Sequence, residues 1–230
     1  MNIIVNGATR GIGRETALLL AGKGNSVLVT GRNEKSLNEL ASVSVPGRLI
    51  PCRLDISRFD KHEKAFTDII ASSFESVDIL INSAACLVTK DFSDFTAEEA
   101  RKMMETNFIG VASVLRSLIP FMKKGSHIVN ISSMGGFQGS VKYRGLSYYS
   151  ASKAALSCLT ECLALEFIEK GIAVNCLALG SVQTEMFEEA FPGLRAPVSV
   201  QEMGKFVADF STGGGSLFNG KIIPVAFSNP

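Results

Sequence analysis

The chain has 230 residues, 46% of them apolar, a formal net charge of +1 and a mean hydropathy of +0.24. That length suits one large α/β domain better than two small ones and is enough to bury a sizeable core. A charge near zero with no basic run excludes nucleic acid and anionic membranes as electrostatically favoured partners, and no stretch approaches the ~20 apolar residues of a membrane span.

Asn2 to Asn6 reads as a buried strand that runs into Gly7-Ala8-Thr9-Arg10-Gly11-Ile12-Gly13 and a helical stretch from Arg14 to Ala21. No basic segment followed by a long apolar one precedes the glycines, so the start does not read as a signal peptide and a cytoplasmic protein is expected. Strand, glycine loop and helix form the layout of a phosphate-binding turn: glycines admit backbone N–H groups to a pyrophosphate, and the helix N-terminus adds partial positive charge. The spacing G-x-x-x-G-x-G is neither G-x-G-x-x-G nor a P-loop, and by itself it also fits a purely structural turn.

Ser26 to Thr30 is a second strand, ending at Gly31-Arg32-Asn33. In a nucleotide-binding βαβ unit the residue there meets the adenosine ribose, where a carboxylate would accept from the 2′-hydroxyl and repel a 2′-phosphate. Gly31 and Arg32 hold the place here, and Arg10 stands inside the loop. Two guanidiniums suit a phosphate and favour NADP(H) over NAD(H); simple solvation of either arginine is the alternative.

Asn33 caps a short helix through Ala41, and Arg48 to Leu54 is a third strand ending at Asp55. A helix from Phe59 to Phe74 leads to strand Val77 to Asn82 and then Ser83-Ala84-Ala85. The next helix is expected from Ala97 to Lys123, with Asn107 in its middle. Asparagine competes for helix backbone bonds, so Asn107 signals a kink or a role unless it is merely a tolerated exposed residue. Strand His127 to Ile131 ends at Ser132-Ser133, followed by a glycine-rich loop.

A long Ala- and Leu-rich run then begins with Tyr149-Ser150-Ala151-Ser152-Lys153 and continues to near Lys170 without proline. On a helix Tyr149 and Lys153 share a face. A neighbouring ammonium favours the phenolate, which would let the tyrosine pass a proton near neutral pH; alone, the pair could equally be a surface tyrosine over a lysine stem. Strand Ala173 to Leu177, Gly180, helix Val200 to Phe210, a Gly213-Gly214-Gly215 linker and strand Lys221 to Val225 complete the chain. The alternation predicts right-handed βαβ units in a single domain: a Rossmann-type, doubly wound parallel sheet of about seven strands with helices on both faces. Ligands of such sheets bind outside the carboxyl ends of the strands, where Gly7, Arg32, Asp55, Asn82, Ser133 and Gly180 fall.

The five cysteines, Cys52, Cys86, Cys158, Cys162 and Cys176, are odd in number and contain no C-x-x-C. Cys158 and Cys162 could face one another on a helix, but they supply only two ligands and no histidine is near, so no metal site is expected. Buried free thiols in a reducing compartment are the expectation.

With these motifs in this order, the chain resembles the short-chain dehydrogenase/reductase family, in the single-domain branch that includes the 3-oxoacyl-carrier-protein reductases, from Asn2 to near Val225. The resemblance implies coenzyme glycines at Gly7, Gly11 and Gly13, with Thr9 and Ile12 between them. Asp55 falls on the aspartate that meets the adenine, with Ile56 beside it, and Asn82 opens the family's Asn-Asn-Ala-Gly motif, which includes Ala84. Asn107, Ser133, Tyr149 and Lys153 fall on the catalytic tetrad. Asn175 and Gly180 match the segment beside the nicotinamide, Val182 and Thr184 the carboxamide and phosphate contacts. Arg10 and Arg32 occupy places where NADP-preferring members carry basic residues.

The implied reaction is hydride transfer between NADPH and a small-molecule carbonyl substrate. Ser133 would hold the oxygen, Tyr149 would donate the proton, Lys153 would lower the tyrosine pKa and bind the ribose, and Asn107 would support a water. A homodimer or homotetramer through the Tyr149 helix is implied as well. Departures are visible: Asn82-Ser83-Ala84-Ala85 differs at two of four motif positions, Leu179 replaces a usual proline, and Ala226-Phe227 replaces a usual Asp-Gly. The 16 positions from Ser133 to Tyr149 predict a longer loop, Gly135 to Gly145, over the substrate. Adjacent strand residues point oppositely, so only one of Ser132 and Ser133 reaches in, and the alignment favours Ser133. Met186, Phe187, Phe191 and Leu194 belong to an apolar lid or to the core.

A serine hydrolase is excluded because His62 and His127 are the only histidines and no G-x-S-x-G occurs. A methyltransferase would not need Tyr149 and Lys153. The alternative from another class is a non-catalytic NADP-sensing or scaffold protein on the same fold.

Overall fold

The structure, a computed structural model, describes residues 1–227. The strands among them are β1 (Asn2–Asn6), β2 (Ser26–Gly31), β3 (Arg48–Arg53), β4 (Val77–Asn82), β5 (Met122–Ser133), β6 (Ala173–Leu179), the short β7 (Val182–Gln183) and β8 (Val198–Ser199), and β9 (Ile222–Val225). Seven form one parallel sheet in the order β3-β2-β1-β4-β5-β6-β9, while β7 and β8 pair separately. The strand order reverses between β1 and β4, which opens a crevice at their carboxyl ends.

Burial explains the continuous apolar strands. Ile3 and Val5 face one core with Val27, Val29, Ile79 and Ile81, and Ile4 faces a second with Leu28, Leu80, Ile128 and Val174. The two-residue strand period sends neighbours to opposite faces, and both faces are covered, so every position must be apolar. Helices α1 (Gly11–Gly22) and α8 (Val200–Gly213) cover the first face. Helices α3 (Glu63–Ser73), α5 (Gly110–Leu118) and α6 (Ser147–Glu166) cover the second. The helices α2 (Glu34–Ala41), α4 (Ala97–Met104) and α7 (Glu185–Ala190) complete the set.

One polar rung crosses this apolar sheet. Asn6, Asn82 and Asn130 are register partners on β1, β4 and β5. Thr30 donates to Asn6 (2.9 Å), Asn6 to Asn82 (2.7 Å), Asn82 to Asn130 (2.8 Å) and Asn130 to Thr160 of α6 (2.9 Å). All five are buried, and each link satisfies a group that would cost about 1–3 kcal/mol if left unpaired.

The chain corrects several expected boundaries. The helix expected over Ala97 to Lys123 is three pieces: α4, a π-helical turn (Glu105–Ile109) around Asn107, and α5. Pro120, without an N–H, sits in a closing 3-10 turn, and β5 already begins at Met122. The helix expected from Phe59 starts as a 3-10 turn (Ile56–Lys61) before α3. Gly213–Gly215 is no linker: α8 runs through Gly213, and a side chain at Gly214 or Gly215 would strike Phe210 or His127. Cys52 and Cys176 are buried, but Cys158 and Cys162 are exposed because they lie on the outward face of α6. No helix among the described residues is long and apolar enough to cross a membrane.

Candidate functional site

The glycine turn after β1 is sterically obligatory. Gly7 has φ +77°, and a Cβ there would lie 2.5 Å from the Ala84 backbone; at Gly13 it would lie 2.3 Å from the Gly7 carbonyl oxygen. The turn therefore packs β1 against the segment after β4. Gly11 (φ +57°) faces Thr184, whose hydroxyl caps α7. Arg10 occupies the N-cap of α1 without a side-chain cap bond, and the first turn of α1 carries no acidic residue. The leading N–H groups, Ile12 among them, thus keep their donors and positive end for an incoming anion. A cleft of about 310 Å³ lies alongside, bordered by Gly11, Arg14, Thr184, Glu185 and Gln201; it is next to the phosphate turn, not over Tyr149.

Thr9 explains Gly31: a Cβ at Gly31 would lie 2.4 Å from the Thr9 methyl. No side chain, acidic or otherwise, fits at that strand end, and Arg32 beyond it is exposed. Arg10 reaches the other way, to Glu189 of α7 at 2.8 Å, with both side chains about half exposed or more. Asp55 is held by Ser57, whose backbone N–H (3.1 Å) and hydroxyl (2.7 Å) both donate to Oδ1. Ile56 is buried in the second core. Asn82 is spent in the polar rung and buried, so it supports the crevice from beneath instead of lining it. After β6, the Gly180 N–H donates to Val225, and a Cβ at Gly180 would strike Ala226. Val182 is buried in β7. Asn175 is buried within β6: its amide donates to His127 Nε2 (3.0 Å) and the Phe218 carbonyl (2.8 Å), while its oxygen accepts from Lys221 (3.1 Å).

Ser133, Tyr149 and Lys153 do converge. The two serines at the end of β5 diverge as strand geometry requires. Ser132 is buried and donates to the Lys153 carbonyl oxygen (2.9 Å), and Ser133 faces Tyr149. Tyr149 is half-buried, but its hydroxyl is desolvated, which pushes the phenol up to about 12; a hydrogen bond with Ser133 opposes the shift. Lys153 is buried, its amine donates to the Ile131 carbonyl oxygen (2.8 Å), and desolvation pulls it down to about 8. Its Nζ lies 5.9 Å from the Tyr149 ring centroid. The expected direction of the tyrosine shift is therefore reversed in this geometry. The lysine amine is aimed at a strand carbonyl, and loss of water is the largest influence on the phenol.

Asn107 is buried in the π-turn, so it is not a tolerated exposed residue and it sits at an interruption of the helix. Its amide bonds the Cys86 N–H and carbonyl (2.7 and 2.8 Å) and the Ser152 hydroxyl (2.9 Å). The Gly135–Gly145 loop begins with a 3-10 turn (Met134–Gly136) packed on α6, where a Cβ at Gly136 would lie 2.6 Å from the Lys153 and Ala154 backbone. Its far end docks on the segment after Cys86: Arg144 grips Asp91 with two bonds (2.8 and 2.6 Å), and Lys90 N–H donates to the Gly145 carbonyl oxygen. Phe92 stacks on Tyr148 beside it. Met186, Phe187 and Phe191 are half-buried and Leu194 is exposed, so none belongs to the core. Sequence reasoning missed Ser152, Asn6 and Asn130; their partners lie far away along the chain, and no short motif marks them.

A family model for short chain dehydrogenases matches residues 1–194. An uncharacterized oxidoreductase from Staphylococcus epidermidis is 31% identical over 208 residues, covering 89% of this chain and 87% of that protein. The mouse dehydrogenase/reductase SDR family member 7B is 33% identical over 192 residues, 80% of this chain and 58% of that one. Among solved structures, a dehydrogenase/reductase from Sinorhizobium meliloti superposes with a TM-score of 0.84 at 28% identity, covering 97% of this chain and 92% of that one. A short chain dehydrogenase from Burkholderia cenocepacia in complex with NADP shares the fold, with a TM-score of 0.88 at 24% identity over 97% and 95% of the two chains.

Proposed function

The chain belongs to the short-chain dehydrogenase family, and on that premise we propose that it is an NADP(H)-dependent oxidoreductase interconverting a carbonyl compound and its secondary alcohol. The observation that carries this reading is the convergence of Ser133, Tyr149 and Lys153 at the carboxyl end of β5.

The glycine turn suits a dinucleotide, since the start of α1 has no side-chain cap and no acidic residue in its first turn to compete with a pyrophosphate. Arg32 and Arg10 are the candidates for the 2′-phosphate, Arg10 by exchanging its exposed pair with Glu189. Thr9, Ile12, Ala84, Gly180 and Thr184 are the further candidates for contacts with the dinucleotide, and Asp55 is the candidate for the adenine. When bound, the nicotinamide supplies the hydride. Ser133 donates a hydrogen bond to the carbonyl oxygen, and that bond strengthens as negative charge develops there. Tyr149 gives its proton to the same oxygen. Lys153 keeps N–H donors beyond the one given to Ile131 and offers them to ribose hydroxyls. Likeness to the 3-oxoacyl-carrier-protein reductases makes 3-oxoacyl thioesters the first substrate class to try.

The test is NADPH oxidation over a panel of carbonyl compounds, with NADH in parallel, for the wild type and Tyr149→Phe. Loss of the phenolic proton should lower turnover about 10²–10⁴-fold while NADPH binding persists. Undiminished turnover in the variant removes Tyr149 as the acid, and a marked preference for NADH refutes the arginine argument. Nucleotide binding without turnover on any carbonyl would favour an NADP-sensing or scaffold protein.

A further inference from the structure

The first turn of α6 carries Tyr149, and this helix start has no side-chain cap. Its N-cap, Leu146, offers no side-chain acceptor, and the first turn has no acidic residue. A helix start of this kind leaves its leading N–H groups unpaired and tends to fray. Something else must hold Tyr149 against Ser133.

The hydrogen bonds identify it. Ser152 donates its hydroxyl proton to the Tyr149 carbonyl oxygen at 2.7 Å and accepts from Asn107 Nδ2 at 2.9 Å. Asn107 is in turn locked to the backbone of Cys86 in both directions, accepting its N–H at 2.7 Å and donating to its carbonyl at 2.8 Å. Ser152 and Asn107 are both fully buried. An unbroken line therefore runs from the segment after β4, through the π-turn, to the peptide of Tyr149. A serine bonded back to the preceding turn also bends a helix locally, which sets the direction in which the Tyr149 side chain leaves α6.

We propose that Ser152 is a positioning residue: through Asn107 it ties the Cys86 segment to the first turn of α6 and thereby fixes the Tyr149 phenol beside Ser133. On the opposite side the Met134–Gly136 turn packs directly on Ser150, Lys153 and Ala154, so Tyr149 is held between two fixed walls. The kinetic part of the proposal rests on the reading of Tyr149 as proton donor; the structural link does not.

Ser152→Ala and Ser152→Thr test it, threonine keeping a hydroxyl able to make the same bond to the preceding turn. In Ser152→Ala, kcat for carbonyl reduction should fall about tenfold, the equivalent of one lost buried hydrogen bond, with NADPH affinity unchanged. The pH dependence of kcat governed by the phenol should shift, and the Cys86 amide should exchange hydrogen about tenfold faster. Threonine should restore all three. Should the alanine variant not fold, Ser152→Cys fills the space with a weak donor and takes its place. Wild-type kcat, pH profile and Cys86 exchange in the alanine or cysteine variant would overturn the proposal, as would a defect that threonine leaves in place. If the wild-type protein turns over no carbonyl compound, the oxidoreductase reading fails, and Cys86 exchange alone still decides the place of Ser152.

Discussion

Lys153 shows how strongly a residue can be set by what it has lost. Burial removes water from its amine, and the Ile131 carbonyl returns a single hydrogen bond, so the ammonium is disfavoured and the pKa falls to about 8. A lysine whose folded pKa lies below its unfolded one binds fewer protons when folded. It therefore costs stability at neutral pH, and the cost disappears as pH rises from about 8 towards the ordinary lysine value of 10.5. Lys153→Met should accordingly raise stability at pH 7, by an amount on the order of 1 kcal/mol once the lost hydrogen bond is counted, while abolishing turnover. The gain should shrink between pH 7 and 9.5, below the range in which Tyr149 titrates. Equal stabilisation at both pH values would mean that the lysine is not strained by its charge.

At the scale of elements, polar side chains inside the sheet decide how its strands are held together. His127 opens the buried part of β5 and joins three elements: Nδ1 donates to the Ser211 carbonyl of α8 (2.9 Å), and Nε2 accepts from Asn175 on β6 (3.0 Å). The Asn175 contact requires the neutral ring, because a protonated Nε2 could no longer accept. Burial holds its pKa below the usual 6.5, with the Ser211 carbonyl partly opposing. The unfolded chain takes up a proton near the ordinary value and the folded one resists it. Stability is therefore complete above about pH 6.5 and falls as the pH drops below it. Thermal melts from pH 7 to 5 should show this decline, and His127→Gln, which cannot be protonated, should flatten it. A variant that declines as steeply as the wild type would assign the acid sensitivity to other groups. The same logic separates the two asparagine systems. The Asn6–Asn82–Asn130 rung binds strands to one another, whereas Asn107 binds a helix interruption to a loop, and only the second reaches the Tyr149 helix through Ser152.

For the whole molecule, the outer face of α6 is exposed among the described residues. Ala151, Ala154, Cys158, Cys162 and Leu165 are exposed there, Leu165 to 73%. With α5 this helix borders a groove of about 290 Å³ lined by Leu115, Ile119, Leu159, Leu163 and Phe167. We propose that a second copy of the chain covers this face, giving a homodimer or, with a further contact, a homotetramer; an apolar face of this kind is more stable removed from water. Sedimentation at micromolar concentration should find an oligomer, and Leu165→Glu should shift it towards monomer. A monomeric wild-type protein would contradict the proposal. The two exposed thiols on this helix would then lie at the junction between copies.

The amino-acid sequence by itself determined the architecture. Continuous apolar strands alternating with helices of different period allow few arrangements other than a parallel sheet covered on both faces, and Gly7 and Gly13 announced a turn too tight for any side chain. It also put Tyr149 and Lys153 on one face, because a four-residue helical step translates spacing into direction, while the choice of Ser133 over Ser132 came from the family resemblance. Only the tertiary structure decided what those groups experience. The phenol and the amine both lose water, which reverses the expected shift of Tyr149. Asn175 finds His127, and Arg10 finds Glu189. Ser152 acquires its role from Asn107, 45 positions away. Hydration and distant partners are properties of packed volume, and no local pattern of residues encodes them.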